Sequence, residues 1–411
     1  MHNNLSVLII APEYPFPPDD GHKLRNYNLF KNISTGYCFD LLTFGDETIS
    51  VNPTNNARQL GPCFKNIKIV PADTLKLITL KSKYQKIKNF FSPYELSFGF
   101  PYYSKEMSEV VKREISSSKY DLIYFSGFSM FLYTNLQINR TVYVVDVIDS
   151  LFLYLKNELL KQKDIVSKVK SYQNYIWAKN YEKKHFSKAK EMILISPVDA
   201  DHVKKNCPNS RVWVIPNGVD TEYFINDSKF MTHENTLLFT GVMDYPPNNE
   251  CIIYFIKDII PLVRKKFAKI SLLVVGKNPS SELQNMAREF PGIRLTGYVN
   301  DIRPYFAEAA IYVAPIISGA GLKNKILEAW AMSMPVVASG LSCGGIDARD
   351  GYNVAIANTT KAFADKVIEL LSDPMLRNKL AQNGRITAER CYSWKSKAES
   401  LEKIFTDVIN G

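Results

Sequence analysis

The sequence lacks the features that identify several large protein classes. Its most apolar windows, such as residues 141–149, are interrupted by aspartates, and no apolar run approaches the ~20 residues that span a bilayer. Its six cysteines are scattered without a Cys-x-x-Cys spacing, which argues against a zinc site or a disulfide framework and is typical of reduced thiols. No basic segment followed by a long apolar one opens the chain, so we expect a cytoplasmic protein. No Gly-x-Gly-x-x-Gly follows the first predicted strand or the one at Thr236, which disfavours a dinucleotide-dependent oxidoreductase.

Short apolar strands alternate with longer helix-like stretches along the whole chain. Its 411 residues, 46% apolar and 22% charged, fit two ordinary globular domains. Repeated strand–helix units predict parallel sheets with helices on both faces and ligands at the carboxyl ends of the strands. The predicted strands are 6–11, 39–44, 67–70, 121–125, 143–147, 192–196, 212–215, 236–240, 271–275, 293–296, 311–314, 336–338 and 353–356.

The net charge of +10 is concentrated in the first half of the sequence. Residues 1–215 contain 29 lysines and arginines against 20 acidic residues, whereas the remainder contains 22 against 21. The stretch 76–88 carries five lysines and no acid, interleaved with apolar side chains. Such a segment fits either an anionic membrane surface or a solvated helix packed on its own domain. The charge is not accompanied by a nucleic-acid-binding motif, so nucleic acid is not an expected partner.

The most informative stretch is residues 318–339. A predicted strand ends in a loop with Gly319 and Gly321, and a predicted helix with two lysines and Glu328 follows. The free N–H groups and dipole of a helix start suit a phosphate, and a carboxylate two turns later can accept from two sugar hydroxyls. The pattern therefore indicates a nucleotide-diphosphate site. The alternatives are a tight turn at the glycines and a surface pair between Lys325 and Glu328 worth about 0.2–0.5 kcal/mol.

Five sequence blocks occur in the order found in the retaining glycosyltransferases of family 4, which they resemble. These blocks are residues 214–224, 239–248, 273–279, 296–305 and 318–339. Their details are most similar to sugar transferases associated with exosortase and exopolysaccharide systems. The resemblance implies the GT-B fold, in which two Rossmann-like, doubly wound α/β domains face each other across a cleft. We expect an acceptor-binding domain at 1–215, a nucleotide-sugar-binding domain at 216–390, and a C-terminal helix, 391–411, that crosses back to the first domain.

The resemblance also implies a set of donor-site residues. Lys323, Lys325 and Glu328 are the candidate catalytic residues, with the lysines stabilising the leaving pyrophosphate. The candidate donor-binding residues are Gly21, Gly241, Lys277, Arg303, Gly319, Ala320, Gly321 and Leu322. Gly241 has the alternative role of a turn residue, and Arg303 that of pinning its own loop. The sequence departs from the family at Ala320, where a glutamate is frequent, and at Val242, where a phosphate-binding arginine is frequent.

The candidate acceptor-binding residues lie in the first domain and are Arg25, Asp146 and Asp149. Arg25 follows a loop that resembles the family's glycine loop, and a structural ion pair is the alternative for it. The alternative for this stretch is that Asp149 or Ser150 caps the next helix. A lone loop histidine such as His22 is usually solvated, and no histidine follows the strand 121–125 as it does in many family members. The sequence therefore shows no obvious protein base.

The function that the resemblance implies is transfer of a sugar from a nucleotide-diphosphate donor to a glycan, lipid-linked or other hydroxyl acceptor, with retention of configuration. No metal or other cofactor is expected, because lysines and a helix dipole would take the place of a cation. The leaving phosphate would itself accept the proton of the acceptor. The basic first domain would place the protein at the inner face of a membrane. Two alternatives remain: a nucleotide-sugar epimerase or hydrolase on the same fold, and a non-catalytic partner subunit.

Overall fold

The computed structural model describes residues 4–45, 57, 59–74, 103–117, 119–134, 142–162, 164–226, 233–318 and 324–411. The chain divides into two compact units. Unit 1 comprises residues 1–215 and 397–411, and unit 2 comprises residues 216–396. The basic segment 76–88 and the loop residues 319–323 of the predicted donor site lie outside the described residues.

Unit 1 contains a parallel sheet of seven strands, in the order β3-β2-β1-β4-β5-β6-β7. Its strands are β1 (Leu5–Ala11), β2 (Tyr37–Gly45), β3 (Phe64–Pro71), β4 (Leu122–Ser126), β5 (Val142–Ile148), β6 (Glu191–Leu194) and β7 (Arg211–Val214). Every residue of β4 is buried, as expected for a central parallel strand covered on both faces, whereas the edge strand β3 is partly exposed.

Helices connect these strands and begin at side chains that cap their first N–H groups. The described helices of unit 1 are α1 (Gly21–Lys31), α2 (Lys105–Ser116), α3 (Leu151–Lys161), α4 (Ile165–His185) and α5 (Pro197–Asn206). Asp20 caps α1, Ser150 caps α3 and Asp164 caps α4. Phe405, from the C-terminal part of the chain, packs on Tyr37 and Tyr124, with ring centroids 5.8 and 5.9 Å apart. No helix in the described ranges is long and apolar enough to span a bilayer.

Unit 2 contains a second parallel sheet, in the order β10-β9-β8-β11-β12-β13. Its strands are β8 (His233–Thr240), β9 (Ser271–Val275), β10 (Ile293–Leu295), β11 (Ala309–Ala314), β12 (Val336–Ala338) and β13 (Ala355–Ile356). Its α-helices are α6 (Pro246–Tyr254), α7 (Ile260–Arg264), α8 (Ser281–Glu289), α9 (Arg303–Glu308), α10 (Asn324–Ala331), α11 (Thr360–Ser372), α12 (Pro374–Thr387) and the start of α13 (Trp394–Asn410). Two apolar clusters fill this unit, one rich in α6, α7 and α11 side chains and the other centred on α10.

In both sheets the strand order reverses beside the first strand of the unit, where later strands are added on its opposite side. The first strand of each unit lies between the second and the fourth, so the reversal falls between β1 and β4 in unit 1 and between β8 and β11 in unit 2. In doubly wound sheets, ligands bind outside the carboxyl ends of the strands at this switch point. The predicted α/β fold of two doubly wound units is confirmed, and each unit has one such position.

Candidate functional site

A buried polar contact joins the two strands at the switch point of unit 2. The hydroxyls of Thr240, at the end of β8, and Tyr312, in β11, are 3.1 Å apart. Residues after β11 are held by two serines that follow β12: Ser339 Oγ donates to Ile316 O at 2.6 Å, and Ser342 Oγ donates to Ala314 O at 2.6 Å. The backbone that leads into the glycine loop is therefore fixed by the neighbouring strand connection.

Helix α10 follows the glycine loop and is anchored by its apolar face. Ile326, Leu327 and Trp330 are fully buried, and Trp330 Nε1 donates to the backbone oxygen of Asn353 at 2.8 Å. A Cβ at Gly384 would lie 2.5 Å from Trp330 Cδ1, so the indole requires a glycine on α12. This packing fixes the rotation of α10 and thus the direction of its polar face.

The polar face of α10 carries Glu328 and, four and three residues before it, Asn324 and Lys325. Lys325 Nζ lies 3.4 Å from Glu328 Oε1, with side-chain exposures of 43% and 18%. Burial, and also the charge of Glu328, raise the pKa of Tyr312, whose hydroxyl contacts Thr240. Among the residues that the structure describes, the buried side-chain oxygen of Asn324 has no hydrogen-bond partner. A carboxylate and an amide oxygen at a switch point are suited to accept hydrogen bonds from ligand hydroxyls.

Gly241 is buried where two loops pack closely together. A Cβ at Gly241 would lie 2.7 Å from Asn248 Nδ2, and one at Gly276 would lie 1.7 Å from Gly241 O. Packing between the loops after β8 and β9 thus accounts for Gly241 as a turn residue. Lys277 follows Gly276 and is exposed at the carboxyl end of β9, next to the switch point. Asp244 accepts from Asn278 Nδ2 at 2.6 Å and joins the same two loops.

Arg303 lies at the start of α9, after the edge strand β10, and is held by its own loop. Its Nε donates to Asp301 Oδ1 at 2.9 Å and its Nη2 donates to Asp301 Oδ2 at 2.7 Å. The guanidinium also lies over the Tyr223 ring, 4.1 Å from its centroid. These contacts match the alternative of a loop-pinning role.

Glu250 is a residue of this region that the sequence analysis does not single out. It lies on α6, is exposed, and accepts from Ser318 Oγ at 2.8 Å, immediately before the glycine loop. Gly319, Ala320, Gly321, Leu322 and Lys323 lie outside the described residues, so their predicted roles remain predictions. Val242, which replaces a frequent arginine of the family, is 38% exposed and adds no charge there.

The switch point of unit 1 carries a histidine that sequence reasoning sets aside. His22 Nε2 lies 3.1 Å from Ser126 Oγ, at the end of β4, and its Nδ1 lies 3.4 Å from Glu13 Oε1, after β1. Ser126 Oγ in turn donates to Asn26 Oδ1 at 2.7 Å. A Cβ at Gly127 would lie 3.3 Å from His22 Nε2, so the imidazole occupies the space beside Gly127. The cluster is not apparent from the sequence, because its members come from the connection between β1 and β2 and from the end of β4, about 100 residues later.

Gly21 opens α1 beside this histidine. A Cβ at Gly21 would meet no atom within 4 Å, so packing does not explain the glycine. The carboxylate of Asp20 accepts from the backbone N–H groups of His22 and Lys23, at 2.8 and 2.9 Å. The start of α1 is therefore already capped by an acid, which competes with an anion for those N–H groups.

Arg25 and Asp146 form a buried ion pair, which corrects their prediction as acceptor contacts. Their side chains are 1% and 0% exposed, and Arg25 Nε donates to Asp146 Oδ2 at 2.7 Å. Arg25 Nη1 also donates to the backbone oxygen of Ile215 at 2.9 Å, and Tyr124 Oη donates to Asp146 Oδ2 at 2.5 Å. Burial, and then the charge of Asp146, raise the pKa of Tyr124 well above its usual value, so this hydroxyl stays protonated. Arg25 therefore forms the structural ion pair that is its alternative role.

Asp149 differs from these two residues because solvent reaches it. It follows Ile148, whose positive φ of 74° is strained for a β-branched side chain at the end of β5. Surrounding protein atoms, and next the charge of Asp199, raise the pKa of Asp149 to about 6, although part of the side chain remains exposed. Ser150, and not Asp149, caps α3. Asp149 thus remains the exposed member of the predicted acceptor set.

Two family models match the two parts of the chain. The model of the family "Glycosyltransferase Family 4" matches residues 75–223, and that of "Glycosyl transferases group 1" matches residues 234–373. A phosphatidyl-myo-inositol mannosyltransferase of Mycobacterium leprae is 30% identical over 202 residues, which are 47% of this chain and 53% of that protein. The chain thus spans about half the length of the mannosyltransferases that it matches.

Other similarities extend over the whole chain. An uncharacterized 44.6 kDa protein in the cps region of Klebsiella pneumoniae is 23% identical over 407 residues, 97% of this chain and 99% of its own. The solved structure of HepE from Anabaena in complex with UDP-glucose covers 98% of this chain and 99% of its own, with a TM-score of 0.61 and 13% identity. At this level of identity, the similarity to HepE shows a shared fold. The two parts of the chain are therefore similar to glycosyltransferase family models, and the chain shares its fold with solved glycosyltransferase structures.

Proposed function

We propose that the protein is a retaining glycosyltransferase that takes a sugar from a nucleotide-diphosphate donor bound at the switch point of unit 2. The observation that carries this proposal is the polar face of α10, where the side chain of Glu328 is only 18% exposed and lies 3.4 Å from Lys325 Nζ. A carboxylate in that position accepts two hydrogen bonds from the ribose diol. The fold of HepE, which binds UDP-glucose, supports a nucleotide sugar as the class of donor.

The pyrophosphate of the donor needs positive charge as the glycosidic bond breaks. Lys325 supplies it from α10, where its side chain is 43% exposed and its ammonium lies 3.4 Å from Glu328 Oε1. Lys323 precedes α10 in the sequence, and Lys277 is exposed after β9. Loss of a phosphate-binding arginine at Val242 makes the protein depend more strongly on these lysines. The leaving phosphate accepts the acceptor proton, so no metal or protein base is required.

The acceptor is a hydroxyl of a glycan or of a lipid-linked sugar. Asp149 is the exposed carboxylate at the end of β5, and His22 is the imidazole at the unit 1 switch point. The similarity to mannosyltransferases that act on phosphatidyl-myo-inositol favours an acceptor carried by a lipid. Synthesis at the cytoplasmic face of a membrane follows from that acceptor.

The experiment that tests this function measures nucleotide release from UDP-, GDP-, dTDP- and ADP-sugars, with and without lipid-linked acceptors. Slow release from one donor that is accelerated by an acceptor, with product of retained anomeric configuration by NMR, is the expected result. Donor consumption that no acceptor accelerates would instead indicate an epimerase or hydrolase. Absence of turnover and of thermal stabilisation by any nucleotide would indicate a non-catalytic partner and overturn the proposal.

Replacing His22 by alanine is expected to lower kcat/KM for the acceptor about 10–10²-fold, because the imidazole is held by Glu13 and Ser126 where substrate hydroxyls approach. The melting temperature should fall about as much as in His202→Ala, since the two side chains are 18% and 19% exposed. His202→Ala is the matched control, because His202 is 19% exposed in the same unit but lies against Glu182 and Phe152. Equal rates for His22→Ala and wild type would remove His22 from the substrate site.

A further inference from the structure

In the first turns of helix α4 in unit 1, large apolar side chains are exposed to solvent while serines are half-buried. Ile165, Val166, Val169 and Tyr172 are 79%, 81%, 46% and 54% exposed, whereas the serines at positions 167 and 171 are half-buried. At 100° per residue these four apolar side chains fall within one sector of the helix, and the serines lie opposite. A helix on the surface of a soluble domain normally turns such a sector inward. The first two turns of α4 therefore present an apolar stripe to the outside.

The preceding helix α3 also carries exposed apolar side chains. Tyr154 and Leu160 on α3 are 52% and 74% exposed. The two helices pack on each other as a hairpin, where the rings of Phe152 and Tyr175 have centroids 5.0 Å apart. We define the hairpin patch as the six exposed side chains Tyr154, Leu160, Ile165, Val166, Val169 and Tyr172. Isolated exposed apolar residues are ordinary, but six large ones within nineteen consecutive positions mark an interaction surface.

The charges around the hairpin patch identify the kind of partner. Residues 154–172 contain five lysines and two acidic residues, a net charge of +3. Lys168 and Lys170 flank the apolar stripe of α4 on its two sides, and both are exposed, as is Lys156 on α3. Apolar side chains bordered by lysines match the interface of a bilayer, where the stripe enters the acyl boundary and the lysines meet anionic head groups.

We propose that the hairpin patch is a membrane-docking surface that binds anionic phospholipid bilayers. The apolar stripe contributes the hydrophobic part of the affinity and the lysines contribute its dependence on lipid charge and salt. This segment differs from the basic stretch 76–88, which lies outside the described residues. Docking of the hairpin does not depend on the proposed activity, so the two proposals fail independently.

The position of the hairpin in unit 1 gives docking a consequence for the proposed function. Helix α3 begins at Leu151, two residues after Asp149, and has 11 residues. At 1.5 Å per residue its far end lies about 16 Å along the helix from the candidate acceptor residue. A docked hairpin would thus hold the acceptor end of unit 1 within reach of a lipid head group. This last step rests on the proposed function, whereas the docking itself does not.

The test measures binding of the full chain to sedimented vesicles of phosphatidylcholine alone or with 30 mol% phosphatidylglycerol. Binding to the anionic vesicles, weakened by 0.5 M salt, is expected for the wild type. Replacing Ile165, Val166 and Val169 together by serine should lower the partition coefficient at least about tenfold. Lys168→Gln with Lys170→Gln should lower it at least about fivefold on anionic vesicles.

Matched controls place the same substitutions elsewhere. Val198→Ser with Met375→Ser removes apolar side chains that are 68% and 84% exposed, and Lys361→Gln removes an ammonium of a side chain that is 84% exposed. Both controls should bind vesicles as the wild type does. Val166→Trp should strengthen binding several-fold, whereas Val198→Trp should not, provided that both variants keep the circular dichroism spectrum of the wild type.

Three results would overturn the proposal. One is a wild-type chain that does not bind anionic vesicles at low salt. Another is unchanged binding by the triple serine variant when its circular dichroism spectrum is that of the wild type. The third is a wild-type dimer that the serine substitutions convert to monomers without affecting vesicle binding, which would assign the hairpin patch to self-association.

Discussion

Replacing Glu328 by glutamine is expected to lower kcat/KM for the nucleotide sugar about 10²-fold or more, with the melting temperature nearly unchanged. Each hydrogen bond from a ribose hydroxyl to a carboxylate contributes about 1.5–3 kcal/mol, and a neutral amide accepts less strongly and through one oxygen only. The side chain is 18% exposed, and in the described part of the chain Lys325, at 3.4 Å, is its ion-pair partner. Steady-state kinetics and calorimetric nucleotide binding would measure the effect.

The chain offers a close control for this variant. Glu369 pairs with Lys366 at 2.9 Å with the same three-residue spacing, but on an exposed face of α11. Glu369→Gln should leave kcat/KM unchanged, because such a helix pair contributes only about 0.2–0.5 kcal/mol to stability. If Glu328→Gln behaved like Glu369→Gln, the pair with Lys325 would be an ordinary surface contact, and the ribose would bind elsewhere.

The sheets could be predicted from sequence because parallel strands buried on both faces read as short apolar runs. Residues 271–275 and 336–338 are strands with the predicted bounds. Errors appear where burial is one-sided: β8 begins at His233 and not at Thr236, since its first three residues are exposed and polar. The last helix, predicted from residue 391, begins at Trp394 after a π-helical turn at Ala388–Tyr392. A turn of that kind has no distinctive pattern in a single sequence.

Local spacing predicts the polar face of α10 but not the residues that long-range contacts bring together. Lys325 and Glu328 are neighbours in sequence, so their pairing follows from helical geometry. His22 and Ser126 are 104 residues apart, and Arg25 and Asp146 are 121 residues apart. Only the strand order, with β4 beside β1, makes these pairs neighbours. Sequence reasoning therefore sets aside His22, which reaches the switch point. It assigns acceptor contacts to Arg25 and Asp146, which are buried beneath it.

Replacing Arg25 by methionine is expected to lower the free energy of unfolding of unit 1 by about 3–5 kcal/mol. The substitution leaves the carboxylate of Asp146, which is 0% exposed, buried without its cation. It also removes the donor to the backbone oxygen of Ile215. For a unit of this size the melting temperature should fall by about 6–20 °C in a calorimetric scan. Arg349→Met removes a pair between side chains that are 65% and 46% exposed, and should have almost no effect.

A double variant separates a structural ion pair from a substrate contact. Arg25→Met combined with Asp146→Asn removes both charges and keeps an acceptor for the Tyr124 hydroxyl, so it should recover more than half of the lost stability. Activity should fall with the folded fraction in the single variant and recover with it in the double variant, because Arg25 supports α1, the helix that carries Gly21 and His22. An acceptor KM that rises equally in both variants, at unchanged stability, would contradict the structural role. In that case, Arg25 would have to become exposed to contact the acceptor directly.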